Sequence, residues 1–474
     1  METRPRLVVV GVMLSIVLAA MESTVVATAM PTVVGALGGI KIYSWVFSAF
    51  LLTSTVTMPL WGRLSDLFGR RPAYLLGLTV FLVGSALSGL AQSMGQLIGF
   101  RALQGLGAGS LITLGMTVIA DLYGLERRAK MQGYFSSMWG GAALVGPLLG
   151  GFLSDHVSWR WVFYINVPFG AAAIALIAAG LGEPVARHGR PRLDLPGLVL
   201  FTSGVSTLML GLMFGGEAPS WYAPPVLGPL VLAFALLAIF VRVEGRVAEP
   251  IMPFALFRVP LVRAAVATGF LSGMAMFGAI SFVPLFMQRV ANATATQAGF
   301  VLTPFVLGWV SCSIVSARLV LRVGYRGVVI AGMLSLTAGF LLFAEWDATL
   351  TLPRAMGAVL IAGTGMGMTM VPMLIAVQNA VARRDLGAVT SMTQFFRTIG
   401  GTIGVSVMGA AMTHRLQLGR DIEWALHGVF VIGLVVCVGA LLSAFLVPAG
   451  SARELARPDA LAAGPPPEAG RPVR

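Results

Sequence analysis

Charge is scarce in this sequence. Asp, Glu, Lys and Arg make up only 11% of its 474 residues, against roughly a quarter in soluble domains. Lysine occurs only at Lys41 and Lys130, and neither follows a glycine. A phosphate-cradling Walker loop needs a Gly-Lys pair, so the chain has no such loop and no ATPase of that kind. The two cysteines, Cys312 and Cys437, sit in apolar runs, which excludes a disulfide framework and a Cys-rich metal centre. His156, His188, His414 and His427 are scattered, with no His-x-x-x-His spacing. That argues against a His-based metal hydrolase.

Apolar residues fill the space that charge leaves, at 57% of the chain. A helix that crosses a bilayer needs about 20 mostly apolar residues. Fourteen runs meet that need, near 7–34, 44–61, 73–91, 96–120, 133–153, 160–181, 195–215, 224–241, 262–287, 297–317, 327–344, 354–378, 386–412 and 425–447. The expectation is an all-α polytopic membrane protein with fourteen spans. Short Gly-, Pro- and Arg-rich linkers leave no room for a soluble domain between them. Residues 448–474, rich in Pro, Ala, Gly and Arg, read as a disordered tail.

The net charge of +13 then becomes a record of topology. With the N-terminus inside, 24 of the 32 Lys and Arg residues fall on inner segments, six on outer segments and two within spans. The positive-inside rule places both termini in the cytoplasm. A nucleic-acid partner is not expected, because the basic residues track the loops rather than one face.

Few polar groups remain for the membrane interior. Among the acids, Glu22 alone is read as deep within a span. Arg101 and Arg397 are the two basic residues within spans. A guanidinium at that depth costs several kcal/mol unless it is paired or hydrated. Desolvation favours the neutral form of a carboxyl group, so an acid in mid-span is suited to carry a proton. Arg101, Gly105 and Gly109 lie four apart and share a helix face, so the small residues leave a cleft into which Arg101 points. Gln394 lies one turn before Arg397. These residues could line a cavity, and Arg397 could equally be a packing residue. The 24 methionines and 27 phenylalanines could make such a cavity adaptable, although lipid-facing and core packing is the default for most of them.

The loop between the second and third runs reads Gly62-Arg63-Leu64-Ser65-Asp66-Leu67-Phe68-Gly69-Arg70-Arg71-Pro72. Its glycines suit a tight turn and close helix approach. Asp66 suits a neighbouring helix N-terminus. Arg70 and Arg71 can pair with an acid such as Asp121 at the end of the fourth run. This segment resembles the signature loop of the major facilitator superfamily. The second half carries a degenerate echo, Leu321-Arg322-Val323-Gly324-Tyr325-Arg326, which lacks the Asp. It suggests two related halves and an asymmetric inner gate. Arg101-Ala102-Leu103-Gln104-Gly105 resembles a second motif of that superfamily. Gly146-Pro147-Leu148-Leu149-Gly150-Gly151 resembles its exporter motif, with small residues for close packing and a proline that disturbs the helix. Met21-Glu22-Ser23-Thr24-Val25-Val26 is similar to a signature of the fourteen-span drug:proton antiporters, with Glu in place of Asp.

The resemblance spans about residues 7–447 and implies a fold, a mechanism and a set of roles. The fold would be two six-helix bundles, 1–190 and 246–447, with two inserted helices at 191–245. Glu22 and Arg101 would couple protons. Glu22, Arg101, Gln104, Gln394 and Arg397 would line a substrate cavity. Gly62, Asp66, Gly69, Arg70, Arg71 and Asp121 would form a cytoplasmic gate, and Gly146, Pro147, Gly150 and Gly151 a hinge. The implied activity is proton-coupled efflux of amphipathic drugs or toxic compounds from a bacterial cytoplasmic membrane. It would need no cofactor beyond the proton gradient, and the protein would work as a monomer among lipids. An exporter of a defined metabolite, lipid or siderophore shares every motif. An uptake symporter fits less well, because of Gly146-Pro147. No nucleophile–base pair or metal cluster points to an enzyme.

Overall fold

The computed structural model describes residues 3–38, 45–182, 194–217, 222–247, 250–293, 295–450 and 454–455. Most of the expected tail, the boundary at 190/191, and Lys41, Arg187, Arg190 and Arg192 lie outside the described residues, as does the side chain of Pro147. Among the described residues there are α-helices and short 3₁₀ turns and no strand. The helices are α1 Pro5–Leu37, α2 Trp45–Phe68, α3 Arg70–Leu90, α4 Met94–Leu122, α5 Leu125–His156, α6 Trp161–Tyr164, α7 Asn166–Gly180 and α8 Leu195–Glu217. They continue as α9 Pro224–Glu244, α10 Pro260–Arg289, α11 Ala295–Phe300, α12 Thr303–Val323, α13 Tyr325–Ala344, α14 Leu352–Ala380, α15 Leu386–Gln417 and α16 Ile422–Ala444.

The sequence starts and stops these helices by recognisable means. Prolines stand at the first turns of α1, α9, α10, α12 and α14, where a missing N–H costs nothing. Ser93 caps α4 by accepting the Gln96 N–H at 3.3 Å, and Asp421 caps α16 by accepting the Trp424 N–H at 3.0 Å. Gly69 and Gly324 precede α3 and α13 with φ of 103° and 81°. A side chain there would be strained. The echo in the second half therefore keeps the turn of the first half even though it has lost the acid.

Twelve helices among the described residues are long and apolar enough to cross a membrane. That is two fewer than the fourteen runs read from the sequence. The two runs outside this set fall on α5 and α8. The first turns of α5 carry Glu126, Arg127, Arg128 and Lys130, and Gly and Ser follow. On α8 the stretch described as apolar is Pro196–Leu212, and the side chains of Leu195 and Met213 that flank it lie outside the described residues. Several of the twelve present apolar side chains outward, as a bilayer requires: Val231 and Phe234 of α9 are 60% and 66% exposed.

The helices pair by the same scheme twice. α1 packs on α5 and α7, as α10 packs on α15 and α16; α2 packs on α4, as α12 packs on α14. α3 packs on α4 and α7, as α13 packs on α14 and α16. One group, α1–α7, thus repeats in the other, α10–α16, which is the signature of an internal duplication. Across the divide, α2 meets α15 and α5 meets α12. The pair α8–α9 packs chiefly on itself, with α8 against α2 and α15. Glycines set the closest approach between the groups: a Cβ on Gly62 would stand 2.6 Å from the Gly387 carbonyl oxygen.

Two acids that the sequence reading did not place in the interior are buried at the foot of α8–α9. Glu244 and Asp194 are 2% and 6% exposed. Glu244 accepts the Met252 N–H at 2.6 Å, and Asp194 accepts the Gly197 N–H at 2.9 Å. Glu244 ties the hairpin to the segment that leads into α10, and Asp194 caps the start of α8. Their burial comes from tertiary packing at helix ends, which no local hydropathy pattern reveals.

Candidate functional site

Three structures along the divide can do chemistry or transport: a polar lock at one end, a cavity at mid-depth, and an ion pair beside it.

The lock closes the end where α2 stops and α15 starts. Asp66, 4% exposed, accepts the backbone N–H groups of Gly387 and Ala388 at 3.2 and 2.9 Å. A carboxylate at the N-terminus of α15 thus joins the two groups of helices. Arg70 holds that carboxylate in an ion pair and reaches Asp121 of α4 through its Nε at 2.7 Å. Arg71 does something else: it donates to the Ala178 carbonyl at 2.7 Å and ties α3 to α7 within one group. Arg71 therefore meets a carbonyl rather than an acid, on a face of α3 turned about 100° from that of Arg70.

A second crossing was not foreseen from the sequence. Arg128 of α5 donates to Asn379 Oδ1 of α14 at 2.6 Å and to the Ala120 carbonyl at 2.5 Å. Asn379 in turn donates to the Tyr325 hydroxyl at 2.9 Å. This bridge lies on the α5 side, where the echo has Leu321 instead of an acid. The two sides of the lock are thus built from different chemistry. Weakening the Asp66 side should open this end. Asp66→Asn is expected to lengthen the distance between spin labels at Phe68→Cys and Val323→Cys, with Cys312 and Cys437 replaced by Ser. An unchanged distance distribution would show that Asp66 does not hold the groups together.

The cavity lies between the groups, with a volume of about 150 Å³, and takes walls from α1, α4, α5, α10, α12, α14 and α15. Its lining is largely methionine, aromatic and aliphatic, and includes Met116, Met370, Trp139 and Trp309. Trp139 and Trp309 face each other across the divide with ring centroids 5.1 Å apart. Gln394 and Arg397 line it as well, and among the described residues Arg397 is its one charged residue. Gln394 Nε2 lies 3.6 Å from Met116 Sδ, which bridges α15 and α4.

Glu22, Arg101 and Gln104 do not line this cavity. They sit within the first group of helices. Glu22 and Arg101 are 2% and 1% exposed and form an ion pair. Arg101 also donates to Gln104 Oε1 at 2.7 Å and to the Val46 carbonyl at 3.3 Å, and its guanidinium lies 4.1 Å from the Phe50 ring centroid. Asn166 of α7 donates to Glu22 Oε2 at 2.8 Å and to Ser85 Oγ at 2.9 Å. Ile16, a cavity residue, lies on the same helix six residues from Glu22, about 9 Å along the axis. The pair therefore adjoins the cavity without entering it. Asn166 was missed as a site residue because it opens α7 at a point where the sequence shows only a polar interruption.

On α5, Ala142, Gly146 and Gly150 are buried, while a Cβ on Gly151 would meet open space. The same helix approaches α12 at Gly140, where a Cβ would stand 3.3 Å from Val306 Cγ1.

Comparison with known proteins bears on this arrangement. The family model described as Major Facilitator Superfamily matches residues 12–405. The Multidrug transporter protein MdtP of Bacillus subtilis (strain 168) is 39% identical over 414 residues, covering 87% of this chain and 76% of that protein. Multidrug resistance protein 3 of the same organism is 34% identical over 413 residues, covering 87% and 80%. Among solved structures, the human organic anion transporter MFSD10 (TETRAN) superposes with a TM-score of 0.68 at 18% identity, covering 94% of this chain and all of that one. The proton:xylose symporter XylE superposes with a TM-score of 0.64 at 13% identity, covering 95% and 98%. The two structural likenesses establish the fold alone.

Proposed function

The chain belongs to the major facilitator superfamily, and from that premise we propose that it exports amphipathic toxic compounds in exchange for protons. The observation that carries this reading is the cavity: an apolar, methionine- and aromatic-lined space on the divide, with the Asp66 lock closing one end of it. Flexible thioethers and ring faces accept many shapes. The relatives named as multidrug transporters support the same direction.

The reading includes the finer points drawn from the sequence. The protein has fourteen spans, the bundles 1–190 and 246–447 with the inserted pair 191–245, and both termini in the cytoplasm of a bacterial cell. It works as a monomer among lipids, without a cofactor. The locked end is the cytoplasmic one, so the conformation described has its inner gate shut. Rocking of the two bundles about the cavity would expose it to each side in turn.

Glu22 is the proton carrier in this scheme. In the conformation described, its carboxylate is held by Arg101 and Asn166. Protonation from outside would remove one charge of the pair. The Gln104 and Val46 oxygens already bound to Arg101 would then keep the guanidinium solvated while Glu22 lets go. A two-position cation of this kind links the charge on one acid to the packing of α1, α4 and α7. Release of the proton to the cytoplasm would restore the pair.

The test is transport by the purified protein in inside-out vesicles across a panel of amphipathic drugs. Accumulation should follow an imposed proton gradient and collapse when a protonophore dissipates it. Transport of no drug, or transport indifferent to the gradient, would overturn the reading.

A further inference from the structure

The two buried arginines have opposite fates in the fold. Arg101 is neutralised by Glu22 and has carbonyl and amide acceptors around it. Arg397 is different. Among the described residues it has no carboxylate partner; its Nη1 has only the Met370 thioether at 3.8 Å, and its Nε has no acceptor. A thioether is a weak acceptor. Arg397 nevertheless lines the cavity, where the other walls are mostly apolar. A guanidinium kept there is charged at every physiological pH and is missing its counterion.

We infer that the cavity takes amphipathic anions: compounds with one carboxylate or sulfonate and an apolar, ring-containing body. This deepens the export reading and rests on it for the direction of movement. The anionic group would pair with Arg397 side-on, satisfying the Nε and Nη donors together, since the planar fork of guanidinium matches two oxygens of one acid group. The Gln394 amide, whose cross-divide partner among the described residues is the Met116 sulfur, lies one turn away and can donate a further hydrogen bond. The apolar body would lie against Trp139, Trp309 and the methionines. Because Glu22 is already engaged with Arg101, it offers no compensating negative charge to a cationic drug in this conformation. Among the described residues the cavity thus carries one net positive charge, and that charge selects the ligand.

The experiment uses three probes with one ring system and different charge: dansylglycine, its neutral glycinamide, and a dansyl trimethylammonium derivative. Binding to the detergent-purified full chain is read by energy transfer from tryptophan, since Trp139 and Trp309 face the cavity. Dansylglycine is expected to bind about ten- to a hundredfold more tightly than the other two, the range of one charge-assisted pair. Arg397→Gln should erase that preference by bringing dansylglycine down to the affinity of the glycinamide in the same variant, and Arg397→Lys should keep part of it. Equal binding of the three probes to the wild-type protein overturns the inference without any variant. So does a preference for dansylglycine that survives in Arg397→Gln. Failure of proton-driven export in vesicles, with the binding preference intact, would instead refute the export reading and leave the ligand class standing.

Discussion

Arg101→Ala is expected to cost the protein about 3–5 kcal/mol of stability, the range for removing one partner of a buried ion pair. The change leaves the Glu22 carboxylate 2% exposed, with Asn166 as its remaining donor. It also removes the guanidinium that packs over the Phe50 ring. Thermal unfolding in detergent would measure the loss. The double variant Glu22→Gln/Arg101→Ala should regain much of it, because a neutral amide buried beside Asn166 avoids the uncompensated charge. A single variant as stable as the wild-type protein would mean that the pair is not closed off from water.

Glu22→Gln is expected to abolish proton-driven transport, reducing it to the level of vesicles without protein. Gln fits the same space and its one amide oxygen can accept from Arg101 or from Asn166, but it has no proton to exchange. The cavity should be untouched, because Glu22 does not line it. Substrate should therefore still exchange across the membrane when no gradient drives it, and dansyl probes should still bind. Those two readouts separate a loss of coupling from a loss of fold. Gradient-driven accumulation that persists in Glu22→Gln would assign the coupling to another group. Asp194 and Glu244 at the foot of α8–α9 would then be the next acids to test.

Much of the site was legible residue by residue. Asp66, Arg70 and Asp121 lie in segments whose spacing and position at span ends predict a polar cluster, and they meet in one. Gly69 and Gly324 were legible as turns because a positive φ favours glycine. Arg397 was left open between cavity and packing. Its side chain lines the cavity, and its partner is a methionine from α14, 27 residues away. The Arg128–Asn379 bridge joins residues 251 apart; each alone looks like an ordinary polar residue at a helix end. Asp194 and Glu244 are not among the acids that hydropathy places within a span, and the packing of the α8–α9 hairpin buries them.

The sequence by itself determined which stretches leave water, which ends carry the positive charge and which few polar groups enter the interior. Those properties follow from local composition, because twenty apolar residues in a row have no soluble solution and charges cannot follow them inward cheaply. Only the tertiary structure decided how the few are partnered. Glu22 and Arg101 stand 79 residues apart on α1 and α4, and nothing in either segment says that they neutralise each other. Their pairing depends on the packing of helices, and so does its consequence: among the described residues Arg397 is left as the one charge facing the cavity.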